Sequence, residues 1–145
     1  MSPPLWALSL PMGSMLIFVP RVTSLVLQIR SGAPLRNSNP REHVGSKEVA
    51  AKDTHGYVRR AFAAHQNSFE SMILWSAAVL MAKAAGVTTD RMNLSAGVWL
   101  AARVVYIPTY ILVKSNKKAF FRTGIFTVGL ASTLGLMWEA ALLVD

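Results

Sequence analysis

Four strongly polar residues, Arg60, His65, Asn67 and Glu70, fall inside one otherwise apolar stretch, and Arg103, Tyr106 and Tyr110 fall inside another. Positions 103, 106 and 110 stand at i, i+3 and i+7, so a helix there carries a guanidinium and two phenols along one face. Asn67 and Glu70 are i and i+3, and Arg60 lies seven residues before Asn67, which gives the first stretch a polar face as well. Arginine grips carboxylates in a bidentate fork, phenols and an amide can satisfy the remaining groups, and Glu70 can hold an ammonium. A pocket of this kind fits an amino acid or small peptide bearing both signs of charge. The bland alternative is that Arg103 and Glu70 pair across a bundle and only fix the registration of two helices.

The surroundings make these charges costly. The chain has 145 residues, enough for one domain over 1–145, with 52% hydrophobic and 15% charged residues, against roughly 25% charged in an ordinary soluble protein. This is the composition of an integral membrane protein whose partner is the lipid bilayer. A charge at the centre of a membrane helix costs about 2.5 to 3.5 kcal/mol, so each one needs a partner or a water-filled cavity. The net charge of +8 does not point to nucleic acid, because the basic residues sit between apolar segments and form no aromatic-laced stripe. There is no cysteine, which removes disulfides, thiolate metal sites and a protein thiol nucleophile. Any thiol chemistry must therefore use a thiol carried by a substrate. His43, His55 and His65 have no metal-ligand spacing, and no metal is expected.

Helices are expected at about 5–29, 58–84, 91–113 and 119–144, giving an all-α, four-transmembrane-helix bundle. The first segment is roughly 37 Å long as a helix, sufficient to span. A cleaved signal is disfavoured, since no Lys or Arg precedes the apolar run. Pro11 and Pro20 are expected to bend or interrupt this helix, and Pro108 to kink the third. Residues 30–57 read as a long polar loop whose Asn39-Pro40-Arg41-Glu42 favours a turn. Gly86 stops the second helix, Asp90 is a candidate cap for the third, and Gly124, Gly129 and Gly135 allow close approach of the fourth. Glu139 can pair with Arg91, while Arg21 falls inside helix one with no evident partner.

Lys and Arg concentrate in loops 30–57 and 114–118, including Lys114, Lys117 and Lys118. The positive-inside rule then places both loops in the cytoplasm and both termini on the opposite side. Arg60, His65, Asn67 and Glu70 come to lie in the cytoplasmic half of helix two, facing the last turns of helix three. Arg30 and Arg122 join them at the cytoplasmic ends of helices one and four.

Arg60-Ala61, Ala64-His65-Gln66-Asn67 and Glu70, followed by Arg103-Val-Val-Tyr106-Ile-Pro-Thr-Tyr110, resemble the two signature segments of the MAPEG family, the membrane-associated proteins of eicosanoid and glutathione metabolism. Asn39-Pro40 is similar to a further family element. The resemblance implies a homotrimer with glutathione, as co-substrate, bound between subunits by Asn67, Glu70, Arg103, Tyr106 and Tyr110, with Arg30 and His65 nearby. An arginine that precedes Ala-His in better-known members is Ala63 here, so its anion-binding role passes to Arg60. Arg122-Thr123 is similar to the catalytic arginine and the serine that often follows it, although the interval from Tyr110 is longer. Loop 114–118 is expected to absorb that excess.

The implied activity is that of a glutathione-dependent transferase or peroxidase acting on a lipophilic electrophile or hydroperoxide, in the endoplasmic reticulum or a bacterial inner membrane. A thiol of pKa about 8.5 is mostly protonated at neutral pH, and a guanidinium beside it favours the thiolate. Thr123 can add a hydroxyl donor. Trp99, Phe120 and Phe126 are candidates to line the path of the lipophilic substrate, with lipid contact or packing as their ordinary reading. The competing functional reading is a non-catalytic membrane scaffold or ligand-binding protein of the same fold.

Overall fold

A computed structural model describes residues 2–36 and 38–144, apart from the side chains of 116–118. The expected charge contributions of Lys117 and Lys118 therefore lie outside the described residues. The helices are α1 (Leu5–Arg30), α2 (Pro40–Val44), α3 (Lys47–Lys52), α4 (Tyr57–Ala84), α5 (Thr89–Leu112) and α6 (Asn116–Leu142), with no strand among the described residues. Of the four long helices, α1, α5 and α6 are long and apolar enough to cross a membrane. The fourth, α4, has 28 residues and a polar first half.

The long helices form a ring in the order α1, α4, α6, α5, and α4 also touches α5 across the diagonal. That diagonal is built on two indoles. Trp75 and Trp99 are both fully buried and stack with ring centroids 5.1 Å apart and planes 12° from parallel. Neither indole N–H is orphaned, because Trp75 Nε1 donates to Ser9 Oγ at 2.9 Å and Trp99 Nε1 donates to Ser71 Oγ at 3.2 Å. The first of these bonds also ties α1 to the stack. Gly13 lets α1 approach, since a Cβ there would meet Met72 Sδ at 2.7 Å and Trp99 Cη2 at 2.8 Å.

Several expectations change at this level. Pro11 and Pro20 lie within α1, which continues through both. Residues 30–57 are more than a loop: Pro40 starts α2 from its first turn, and Ser46 caps α3 by accepting from Val49 N at 3.3 Å. Ala33, Val44, Val49 and Val58 bury together beneath these short helices. The segment is tied to α1 through the Pro34 carbonyl, which lies 2.6 Å from both Gln28 Nε2 and His43 Nε2. Asp90 falls in the first turn of α5, after its N-cap Thr88, and so favours the positive helix end without capping it. Gly86 does end α4, at φ +80°, with Val87 N bonding back to Ala82 O at 2.9 Å. At the same end of the bundle Arg91 clasps Glu139, with Nε and Nη2 at 3.0 and 2.9 Å from Oε2.

Gly13→Ala is expected to destabilise the detergent-solubilised protein by about 1 to 3 kcal/mol through overpacking against the Trp99 ring. Gly124→Ala, where a new methyl meets nothing within 4 Å inside α6, should hold or slightly raise the unfolding midpoint through helix propensity. Thermal unfolding of the two variants side by side tests this, and equal midpoints would contradict the close approach at Gly13.

Candidate functional site

The polar faces foreseen on α4 and α5 meet α6 at the α5–α6 turn end of the bundle. Asn67, Tyr106, Tyr110, Arg122, Thr123 and Phe126 line a cavity of about 250 Å³. Beside it, sharing the Phe126 ring, a narrower cleft of about 80 Å³ is lined by Glu70, Ser71, Arg103, Leu130 and Thr133 among others. Helical spacing explains the continuity: one face of α5 delivers Arg103, Tyr106 and Tyr110 in sequence along the wall.

Cations and rings alternate along this wall. The Arg122 guanidinium lies 4.3 Å from the Tyr110 ring centroid, Tyr110 and Tyr106 are 5.4 Å apart, and the Arg103 guanidinium lies 4.7 Å from Tyr106 and 5.5 Å from Phe126. Arg103 is only 2% exposed, yet Nε, Nη1 and Nη2 have no hydrogen-bond partner. Its neighbour Gly129 explains how it fits, since a Cβ there would come within 3.1 Å of Nη2. Ring faces attract the cation by about 2 kcal/mol when desolvated, but they offer no lone pair to its N–H groups. A charge of this kind in a membrane helix costs about 2.5 to 3.5 kcal/mol, more than that attraction returns. The cleft thus contains a cation that lacks an acceptor.

Glu70 does not supply it. Although it lines the same cleft, the ion pairs among the described residues are Arg36 with Glu48 and Arg91 with Glu139. The purely structural reading, in which Arg103 and Glu70 lock two helices, is therefore not what the side chains do.

The other expected site residues lie elsewhere. Arg60 Nε donates to Ile111 O at 2.7 Å and Nη2 to His55 O at 3.1 Å, with the guanidinium over the Tyr57 ring. It clamps the end of α5 and does not line the Arg103–Arg122 cavities. His65 turns towards α1, its Nδ1 2.8 Å from Ile17 O, and lines a different cavity with Phe18, Arg21 and Phe62. Arg30 is exposed at the end of α1 and lines none of these spaces. Thr123 is in the main cavity, but its hydroxyl donates to Ala119 O at 3.3 Å. Of the aromatic candidates, Phe126 is a wall of the site, Trp99 belongs to the core at 1% exposure, and Phe120 is 79% exposed.

The longer interval before Arg122 is accommodated differently from expectation. The connection is only Val113–Ser115, and α6 begins at Asn116, so the extra length forms helix before Arg122 reaches Tyr110. Gly129 was legible as a packing residue but not as the seat of Arg103, because nothing in sequence says which side chain a glycine admits. A model of the MAPEG family matches residues 5–142. No curated protein and no solved structure matches the chain.

Arg103→Met is expected to raise the stability of the solubilised, ligand-free protein by about 1 to 3 kcal/mol, because it replaces an unpartnered buried charge with an apolar side chain of similar length. The unfolding midpoint measures this. A lower midpoint would show that the guanidinium stabilises the empty protein.

Proposed function

This chain belongs to the MAPEG family, and on that premise we propose that it is a membrane-bound, glutathione-dependent transferase or peroxidase acting on a lipophilic electrophile or hydroperoxide. The observation that carries the reading is the buried Arg103 guanidinium, without a hydrogen-bond acceptor, in a cleft that also holds Glu70. Glutathione has the complementary groups. A carboxylate of the tripeptide accepts from Arg103, its ammonium is held by Glu70, and Asn67 with the Tyr106 and Tyr110 phenols bonds its remaining polar atoms.

Arg122 is the thiol-activating group in this scheme. It lies in the main cavity, over the Tyr110 ring, and a guanidinium in a site of low dielectric favours thiolate over thiol. The thiol proton leaves to water. In conjugation the sulfur forms a bond to the electrophilic carbon, and the leaving group departs with its electron pair or a strained ring opens. In peroxide reduction the sulfur takes the terminal oxygen, the O–O bond breaks and the alkoxide is protonated to an alcohol. A second glutathione then displaces water from the sulfenic acid to give the disulfide. Thr123, whose hydroxyl is directed to Ala119 O, serves as a wall of the cavity and adds a donor only if it rotates.

The assembly belonging to this proposal is a homotrimer in the bilayer, with the α1–α4 and α5–α6 connections on the cytoplasmic side. The lipophilic substrate reaches Arg122 from the membrane past Phe126 and the exposed Phe120 and Phe121 rings of α6.

Glutathione titration of the purified protein should give saturable binding that weakens about tenfold or more in both Arg103→Ala and Glu70→Ala, the loss typical of a charge-assisted bond. Unchanged affinity in both variants would remove the assignment. Thiolate absorbance in the ultraviolet should appear on binding and vanish in Arg122→Ala. Binding without thiolate, and without turnover of an aryl halide or lipid hydroperoxide, would favour the non-catalytic scaffold.

A further inference from the structure

Many hydroxyls of the long helices are spent within their own helix. Those of Ser14, Thr23, Ser68, Thr109, Thr127 and Thr133 each donate to the carbonyl four residues earlier, at 2.7 to 3.0 Å. A hydroxyl has one proton, so a group bonded in this way has none left for a ligand. Ser71 on α4 is different. Its Oγ accepts from Trp99 Nε1 at 3.2 Å, and among the described residues its own proton goes to no acceptor.

Its position gives that free proton a use. Ser71 lines the cleft of about 80 Å³ together with Glu70, Arg103 and Thr133, and the Thr133 hydroxyl is already committed to Gly129 O at 3.0 Å. Among the described side chains lining the cleft, the uncommitted donors are therefore the Arg103 guanidinium and the Ser71 hydroxyl. An ionised carboxylate has about four acceptor sites, of which a bidentate guanidinium fills two. A neighbouring hydroxyl can fill a third. Behind the Ser71 oxygen lies the Trp99 indole, buried and stacked on Trp75 at 5.1 Å. Trp99 lines neither of the Arg103–Arg122 cavities, so Ser71 is what stands between the stack and anything bound in the cleft.

We propose that Ser71 is a ligand-binding residue of the Arg103 cleft and couples the bound molecule to the tryptophan stack, its proton going to the carboxylate on Arg103 while its oxygen keeps the Trp99 N–H. The inference rests on the reading that a glutathione carboxylate occupies Arg103. Indole N–H, hydroxyl and carboxylate then form a chain of two hydrogen bonds that point the same way and polarise one another. The charge of the ligand is thereby felt at Trp99, a ring it does not touch. A serine that only satisfied the indole would behave otherwise: its removal would leave the buried N–H unpaired and lower stability, with no change in affinity.

The test titrates glutathione into the full-length protein in detergent, reading affinity by calorimetry and the response of the stack by tryptophan emission. Ser71→Ala should weaken binding about tenfold, and Ser71→Thr, which restores the hydroxyl, should recover part of the loss. The emission change at saturation should vanish in Trp99→Phe, which assigns it to that ring, and also in Ser71→Ala. In an Arg103→Ala background Ser71→Ala should cost much less than tenfold, because the two residues share one carboxylate. Three results would each overturn the proposal: a Ser71→Ala protein with a lower unfolding midpoint but unaltered affinity, an emission change that survives in it, or a full tenfold loss in the Arg103→Ala background. Affinity that depends on Arg103 and not on Ser71 leaves the glutathione reading standing and removes this inference alone. A wild-type protein that does not bind glutathione removes both.

Discussion

The stack of Trp75 on Trp99 sets the register on which the candidate site depends. The two helices run antiparallel, so residues before Trp75 on α4 face residues after Trp99 on α5. Five residues before Trp75 stands Glu70, and four after Trp99 stands Arg103; eight before is Asn67, and seven after is Tyr106. Each polar residue of α4 is thereby set at the depth of a polar residue of α5. A slip of one turn, about 5.4 Å, would separate all of these pairs together. The indole N–H bonds to Ser9 and Ser71 oppose such a slip, because in an apolar surrounding each would be left without an acceptor. Gly13 lets α1 close over the stack and seal it.

What lies above the stack is held less tightly and is more highly charged. Arg103 packs where Gly129 leaves room, between the Tyr106 and Phe126 rings, and these contacts position the cation without neutralising it. Arg122 arrives from α6 because the connection Val113–Ser115 is short and the helix begins early. Two arginines consequently flank a pair of tyrosines in one wall. Such an arrangement costs free energy in the empty protein, a cost that a bound anion would offset. That cost separates a candidate binding site from a structural ion pair. Arg91 with Glu139, at the other end of the bundle, shows what the structural kind looks like.

Much of this could be read from the residues alone. The absence of strands among the described residues, the apolar helices and the shared face of Arg103, Tyr106 and Tyr110 all follow from the helical period, which sequence spacing reports directly. Arg60 shows where that reasoning stops. It shares the face of Asn67, but two turns earlier it meets the end of α5, where Ile111 O has no helical donor and takes the guanidinium instead. His65 is placed differently: it is at a suitable depth, but about 200° round the helix from Asn67 at 100° per residue, and so faces α1. Trp99, whose ordinary reading is lipid contact or packing, packs in the core because Trp75 stands opposite it. Arg21 could be seen as unpartnered in sequence, whereas the cavity it lines required the fold of α2, which the polar composition of residues 30–57 concealed.

Glu70 is the point at which the two halves of the molecule meet. It lines the cleft of Arg103 on one side of α4 and the cavity of Arg21 and Arg41 on the other. It is the only acidic side chain among the described residues lining either space. One carboxylate cannot neutralise three guanidinium groups, and at neither side is it within ion-pair distance of one. Arg21 and Arg41 outnumber it in their cavity, and on the other side Arg103 together with Arg122 of the adjoining cavity does so, which makes an anion the complementary ligand on either side. Glu70 then limits which anions qualify, because a ligand with no cationic group leaves the carboxylate facing like charge. A tripeptide with two carboxylates and one ammonium meets that condition on the Arg103 side. On the Arg21 side the same carboxylate stands beside two guanidinium groups, so a single acidic residue on α4 imposes one rule of recognition on two neighbouring spaces.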